Sequence, residues 1–399
     1  MVPVKTICAF ILTLNACWTL AVDEMANPMT PVKPLKLTLE EDLRITPEDR
    51  DDHYLWVGNN VSVSVDDRGH FFVVDPRGNR IVELDPKGEF VREIGGPGEG
   101  PGEFRALNAF QILADGTGRA FDTVGPVSYL TIYDDQMELV EKKRLETGRR
   151  IYRRISISPE EAWIAATVTQ VDTDRNVEIT EFLLADKKFE AKEVLLNWES
   201  PGLDPQKVSE ASYWVDFLSH RFDGMSKGQD AYAAFDDKGQ VYTAGASKYE
   251  ITRRNADLTP NLKITKKYKP IPQTEEEVDA LVSPIRDALL SQLPQSLLQI
   301  VTENVIQRAI KKAEFPPVKF PVSGLVTMGD YLVVIHGVNY QSLVGNGDIF
   351  DKQGRYRGSF QHPGNGLQRM SFKGEYAYTI ETVDEESELV RYKYKLESI

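Results

Sequence analysis

The stretch Ser62–Phe104, SVSVDDRGHFFVVDPRGNRIVELDPKGEFVREIGGPGEGPGEF, decides the fold. Apolar residues alternate through VSV, FFVV, IVEL and FVREI. The intervening DDRG, PRGN and DPKG close hairpins, because Gly accepts positive φ and Asp and Asn bond to their own turn amides. Four short strands joined by three tight turns form one small twisted sheet, the unit of a β-propeller blade. The GGPGEGPGEF that follows reads as its connector, with glycines placed where positive φ is needed.

Working outward, the same unit recurs. FQILADGTGRAFD and YLTIYDDQMELVEKKRL form a second blade, and the two Asp-led turns stand 19 residues apart in both (Asp66 to Asp85, Asp115 to Asp134). A third blade runs from about Tyr152 to Leu196. A fourth is AYAAFDDKGQVYTAGASKYEITRRNADLTPNLKITKKY, a fifth starts near Val318 and a sixth near Leu367. The sixth supplies only three strands before the chain ends. Leu35–Ile45, LKLTLEEDLRI, is a strand without a hairpin partner and is the natural fourth, which would close the ring and remove exposed sheet edges. Between blades four and five, residues 274–313 change to helical spacing. Thr274 with Glu277 forms a capping-box pattern and Ser283-Pro284 an N-cap signature, so two or three helices broken near Pro284 and Pro294 are expected. The sequence thus predicts an all-β fold, a six-bladed β-propeller over residues 35–399 with one helical insertion.

Residues 1–21 read as a signal peptide. Lys5 precedes the apolar run ICAFILTL, which is far shorter than the ~20 residues of a membrane span. Two processing routes stay open: cleavage after Thr19-Leu20-Ala21, or lipidation at Cys17 in Leu14-Asn15-Ala16-Cys17, a lipobox with an atypical Asn. Residues 22–34, VDEMANPMTPVKP, read as a flexible tether. The expectation is an exported protein, periplasmic, cell-surface or extracellular, touching a membrane only through such an anchor. Both cysteines, Cys8 and Cys17, lie in this segment, so the rest of the chain has no thiol chemistry. A net charge of −14 argues against nucleic acid as a partner.

GGPGEGPGEF, preceded by D-x-x-G-x-x-x-V-x-D and D-x-x-G-x-F-V, is similar to the six-bladed propellers of the NHL-repeat and related bacterial exported groups. The resemblance implies the fold and the repeat rhythm. It implies no single activity, since propellers of this kind include scaffolds, sensors, lyases and lactonases.

In each blade the loop between strands two and three and the connector to the next blade leave on one face, the loop face. That face receives the long segments, including the connector Asn197–Gly228, the helices and the loop Gly337–Gly347. At the end of the second strand stand Asp75, Asp122, His336 and Glu381 in blades one, two, five and six. Together they would suit a divalent cation, with hard oxygen ligands favouring calcium. The competing reading is that a strand-end Asp accepts from the amides of its own turn and His336 is a satisfied polar residue. The glycines of the connector do not read as a phosphate loop, because no helix follows and Glu99 and Glu103 would repel the anion. There is no G-x-S-x-G elbow and no His pair with zinc spacing.

The connector is rich in aromatic residues. Trp198, Tyr213, Trp214, Phe217 and Phe222 would either pack over the blades or, if exposed, stack on a sugar or a protein partner. With His220 and Tyr340, residues Trp198, Tyr213 and Trp214 make up the expected ligand or partner face. The sequence favours a non-enzymatic binding or interaction module, with no firm cofactor and an unassigned protein, small-molecule or carbohydrate ligand. The alternatives are a metal-dependent hydrolase or lyase of lactonase type using His336, Glu381, Asp75 and Asp122, and a carbohydrate-binding protein.

Overall fold

The computed structural model describes residues 22–399 apart from 48–55, 57–60, 126, 146–149, 340, 363–366, 368–369 and 384–385, so the signal-peptide reading lies outside the described residues. The first described elements are β1 (Asp23–Asn27) and β2 (Leu35–Ile45). Blade one follows as β3 (Ser62–Val65), β4 (Phe71–Asp75), β5 (Arg80–Leu84) and β6 (Phe90–Gly95). Blade two is β7 (Leu107–Ile112), β8 (Gly118–Val124), β9 (Val127–Tyr133) and β10 (Leu139–Arg144). Blade three is β11 (Ile151–Ile157), β12 (Trp163–Asp172), β13 (Val177–Asp186) and β14 (Ala191–Pro201). After helix α1 (Ala211–Ser226) comes blade four, β15 (Ala231–Phe235), β16 (Val241–Gly245), β17 (Glu250–Arg254) and β18 (Pro260–Lys266). Helices α2 (Glu275–Gln292), α3 (Gln295–Leu298) and α4 (Glu303–Ala313) precede blade five, β19 (Gly324–Met328), β20 (Tyr331–His336), β21 (Asn346–Asp351) and β22 (Tyr356–Gln361). Blade six is β23 (Ser371–Lys373), β24 (Tyr376–Val383) and β25 (Glu386–Ser398), completed on its outer edge by β2, which pairs antiparallel with β25.

The run FFVVD shows why the blades read as continuously apolar. All of β4 is buried, but its residues serve two cores. Phe71 and Val73 face blade six, packing with Tyr378, Ile380 and Leu389, whereas Phe72 and Val74 face blade two and meet Phe110 and Tyr133. The same division occurs in β20, where Leu332 and Val334 fill the core shared with blade four and Val333 and Ile335 the one shared with blade six. Period-2 alternation survives, yet each side buries apolar area at ~25 cal/mol per Å².

The short hairpins opposite the loop face share one device. Oδ1 of Asp66, Asp85, Asp134, Asp186, Asp236 and Asp351 accepts the amides two and four residues on, at 2.8–3.0 Å. Innermost strands of neighbouring blades are stitched directly. Ser64 Oγ donates to the Phe110 carbonyl, Gln111 Nε2 to that of Ile157, Thr327 Oγ1 to that of Phe235, and Lys373 Nζ to that of Val65.

Residues 22–34 are not a free tether. β1 pairs parallel with β18 as a fifth strand of blade four. Asn27, buried, donates to the Gly354 carbonyl at 2.8 Å and accepts from the Tyr356 amide at 2.7 Å, both in blade five. Val32 N donates to the Tyr356 carbonyl and Arg357 Nε to that of Lys33, and the chain then enters β2 on blade six. The segment is a strap over the outer edges of three blades. Backbone pairing on an open edge needs no apolar pattern, which explains the polar sequence.

Two further expectations are corrected. Helix α2 passes through Pro284 unbroken. A proline removes the amide that would serve the carbonyl four residues back, here Ala280, and Ser283 Oγ donates to that carbonyl at 3.2 Å instead. Ser283 is therefore a mid-helix substitute donor and not an N-cap; the capping box at Thr274 and Glu277 is present. The supposed loop Asn197–Gly228 is the end of β14 followed by α1.

Candidate functional site

The polar residues of the loop face fall into separate groups. Asp75 Oδ1 accepts from Gly78 N at 3.1 Å and Oδ2 from Arg80 Nε at 2.9 Å. Asp122, fully buried, accepts the amides of Arg105 and Ala106 at 3.2 and 2.7 Å, with Lys142 Nζ 3.7 Å away. Glu381 accepts from Tyr392 Oη at 2.7 Å and lies 3.2 Å from Arg44 Nη1, which also bonds Glu388. The structure does not bring Asp75, Asp122, His336 and Glu381 together as a ligand set. Each stands on the second strand of its blade, one strand removed from the axis, Asp75 and His336 as its last residue and Asp122 and Glu381 two residues before its end, and each is bonded within its own blade or to the adjoining connector or blade rather than to its counterparts. Among the described residues no group of three or more His, Asp or Glu side chains is arranged to hold a metal ion.

His336 instead joins a cluster at the junction of blades four and five. At its centre is Asp348 on β21, fully buried. Tyr249, from the loop before β17, donates its hydroxyl to Asp348 Oδ2 at 2.5 Å, and Lys266, the last residue of β18, places Nζ 2.6 Å from the same oxygen. Ser359 Oγ on β22 donates to Oδ1, and Tyr356 Oη is 2.6 Å from Ser359 Oγ. His336 Nε2 lies 3.3 Å from Oδ1, within ion-pair reach but off the axis of a hydrogen bond, and its side chain is 18% exposed. Lys266 Nζ also sits 4.0 Å above the Tyr356 ring.

Burial pushes the Asp348 carboxyl up, but His336 and Lys266 pull it down further, so it stays well below the ordinary carboxylate range. The Tyr249 phenol is pushed well up by burial, and the Asp348 charge adds to the effect. The cluster is a buried anion saturated by a lysine and two hydroxyls, with the histidine as its solvent-facing edge. Sequence reading found His336 alone. Asp348 and Ser359 face each other across one hairpin, but Tyr249 and Lys266 come from the neighbouring blade, and no spacing in the sequence links the two pairs.

Residues 56–118 match the family DUF5128, described as a 6-bladed beta-propeller. The chain is a six-bladed β-propeller. Solved structures resemble it at low identity. A member of the DUF4221 family from Bacteroides vulgatus has 10% identity and a TM-score of 0.52, covering 92% of this chain and 99% of its own. A candidate exported protein from Bacteroides fragilis has 12% identity and a TM-score of 0.46, with coverages of 94% and 100%. The PQQ-bound aldose sugar dehydrogenase of Streptomyces coelicolor has 10% identity and a TM-score of 0.44, with coverages of 92% and 100%. Such likeness concerns the fold alone. No curated protein matches in sequence.

The propeller carries its helices as a separate layer. Trp214, Val215, Phe217, Leu218 and Phe222 of α1 share an apolar core with Val282 of α2 and Val305, Ile306 and Ala309 of α4. Strands β12, β13 and β14 are 10, 10 and 11 residues long, against 4 to 6 in blade one, and this extension supports the layer: Arg221 on α1 pairs with Glu178 on β13 at 2.8 Å. The expected aromatic ligand face is therefore corrected in part. Trp214 is 2% exposed, with Nε1 donating to the Val208 carbonyl, because α1 turns its aromatic side inward. Tyr213 is half-buried, and its hydroxyl accepts from Asp204 N at 2.6 Å. Trp198 is half-buried on β14 opposite Thr180, and His220 Nδ1 bonds the Asp216 carbonyl at 2.7 Å. Tyr340 lies outside the described residues.

The glycine connector closes on itself. The Phe104 amide donates to the Gly96 carbonyl, Gly98 N to that of Phe104, and Gly100 N to Glu103 Oε2 at 2.7 Å. Gly95 has φ +89°, and a Cβ there would stand 2.2 Å from the buried Phe104 ring, so both its conformation and its packing require glycine.

Proposed function

We propose that this propeller is an exported binding module of the bacterial envelope whose loop face is the recognition surface. The observation that carries the reading is the segregation of the two faces. One is built from near-identical Asp-capped turns that differ little from blade to blade. The other carries the helical layer, the self-bonded connector and the blade four–five cluster, each different from its neighbours. Variation on a rigid scaffold is what recognition needs, and strength spent on bracing the loops lowers the entropy lost on binding. Export is supported by residues 1–21, which have the charge, apolar run and small-residue end of a signal peptide.

The chain beyond residue 21 contains no cysteine, so one can be placed on either face. Lys207→Cys would tether the purified protein by its loop face and Lys238→Cys by its turn face. Capture of a component from envelope extract by the turn-tethered protein, with loss in the loop-tethered one, is the expected result. Equal capture in both orientations, or capture only through the turn face, overturns the reading.

A further inference from the structure

The innermost strand of blade three contains an arginine pair that none of the loop-face groups above uses. β11 pairs with β12 out of register between Arg153 and Ser156, so that Arg154 and Ile155 together oppose the single residue Ala166. This is a β-bulge, and bulges re-aim side chains. Arg154 sits in it at φ +47°, a conformation that glycine adopts freely and arginine does not. Backbone strain is thus accepted at a position where the side chain is a charge, 63% exposed although it stands on the strand nearest the axis. Exposure at that radius means the solvent of the central channel and its mouth.

Nη1 of Arg154 meets both oxygens of Asp230, at 2.5 and 2.7 Å, just before the innermost strand of blade four. Asp230 is itself fixed by the Ala231 amide and the Tyr232 hydroxyl. The bidentate grip uses one nitrogen only. Nε and Nη2 of Arg154 donate to nothing among the described residues, and the exposed Arg153 beside it has no side-chain partner among them. Both belong to the basic run KKRLETGRRIYRR, residues 142–154, in a chain of net charge −14. Lys142 and Arg150 of that run are engaged, with the Glu103 carbonyl and with Gln170.

We propose that Arg153 and Arg154 hold one oxyanion of the ligand, a carboxylate or a phosphate, at the loop-face mouth of the channel. Asp230 is the positioning residue: it orients one edge of the Arg154 fork and leaves the other edge, with Arg153, to meet the anion. Guanidinium forks suit planar carboxylates and phosphates alike, so the geometry defines the group and not its carrier. The proposal names a ligand class for the face assigned above and rests on that assignment.

The test is titration of the purified, processed protein with inorganic phosphate and, separately, with succinate, followed by calorimetry and by the guanidinium NMR signals. Saturable binding of at least one probe is expected, weakening as salt rises. Phosphate alone saturating marks a phosphorylated ligand, and succinate alone a carboxylate. Arg153→Gln should weaken the bound probe at least tenfold. Arg154→Gly, which relieves the positive φ, should keep the melting temperature and also weaken binding at least tenfold, whereas a residue serving only the fold would lower the melting temperature and leave probe binding alone. Absence of saturable binding to both probes, or binding unchanged in both variants, overturns the site. Because the titration needs no envelope component, its failure would leave the two-orientation capture result standing, and the reverse also holds.

Discussion

Two blade junctions built from the same strand positions hold a buried carboxylate in different ways. Between blades one and two the space is filled by Phe72, Val74, Ile81, Phe104, Phe110 and Tyr133, an apolar core closed on the loop side by Asp122, which accepts the connector amides of Arg105 and Ala106. Between blades four and five, Leu332, Val334 and Phe350 form the equivalent packing, but the loop-face side is given to Asp348, Lys266, Tyr249 and Ser359. A repeat fixes the backbone and the apolar half of each junction. The half that faces the loops is free to differ: in one junction a buried carboxylate is held by connector amides, in the other by a buried lysine and two hydroxyls.

The sharpest way to break this comparison is Asp348→Asn. It would leave Lys266 buried without its anion, and a loss of about 4 kcal/mol in urea unfolding is expected, since stranding one partner of a buried pair costs about 3–5 kcal/mol. Replacing the pair together, with Lys266→Met and Asp348→Leu, should recover most of that loss; failure to recover would mean that an apolar filling cannot replace the pair at this junction. The acid limb of stability tests the same group. The folded carboxyl lies below its unfolded value near 3.9, so its contribution is complete above that pH and disappears only as pH falls through the lower folded value. The variant should therefore lose stability less steeply than the parent in strong acid.

Phe72→Ala breaks the apolar junction. A cost of about 3 kcal/mol is expected from transfer and cavity together, without change in the acid limb. Asn27→Ala, which unpins the strap from blade five, should cost about 1.5 kcal/mol and raise amide exchange in β1 before any other strand. The smallest effect is expected from Ser283→Ala. Removing the substitute donor beneath Pro284 should cost about 0.5 kcal/mol and leave both junctions untouched, which urea unfolding with Trp fluorescence can check.

The propeller was legible because burial on both faces makes FFVV and LVVI stand out between Asp- and Gly-led turns, and because the turns themselves repeat. β1 was not legible, since an edge strand held by backbone pairing and one asparagine leaves no alternation to find. Pro284 misled in the other direction: the rule that proline ends a helix holds unless a neighbour serves the orphaned carbonyl, and Ser283 does. His336 was singled out by its place at a strand end, but its partners Asp348, Tyr249 and Lys266 come from three other strands or loops. Arg153 and Arg154 fell inside the third blade without a reading of their own, because a bulge is a property of pairing and is not written in one strand alone.

The central claim is that recognition belongs to the loop face and that the turn face is scaffold. It is tested most directly by a photo-cross-linking residue introduced in living cells at Arg105 on the loop face or at Asp67 on the turn face, both well exposed. A discrete adduct from position 105 and none from position 67 is the expected result. Adducts from position 67 alone, or equal adducts from both, would contradict it.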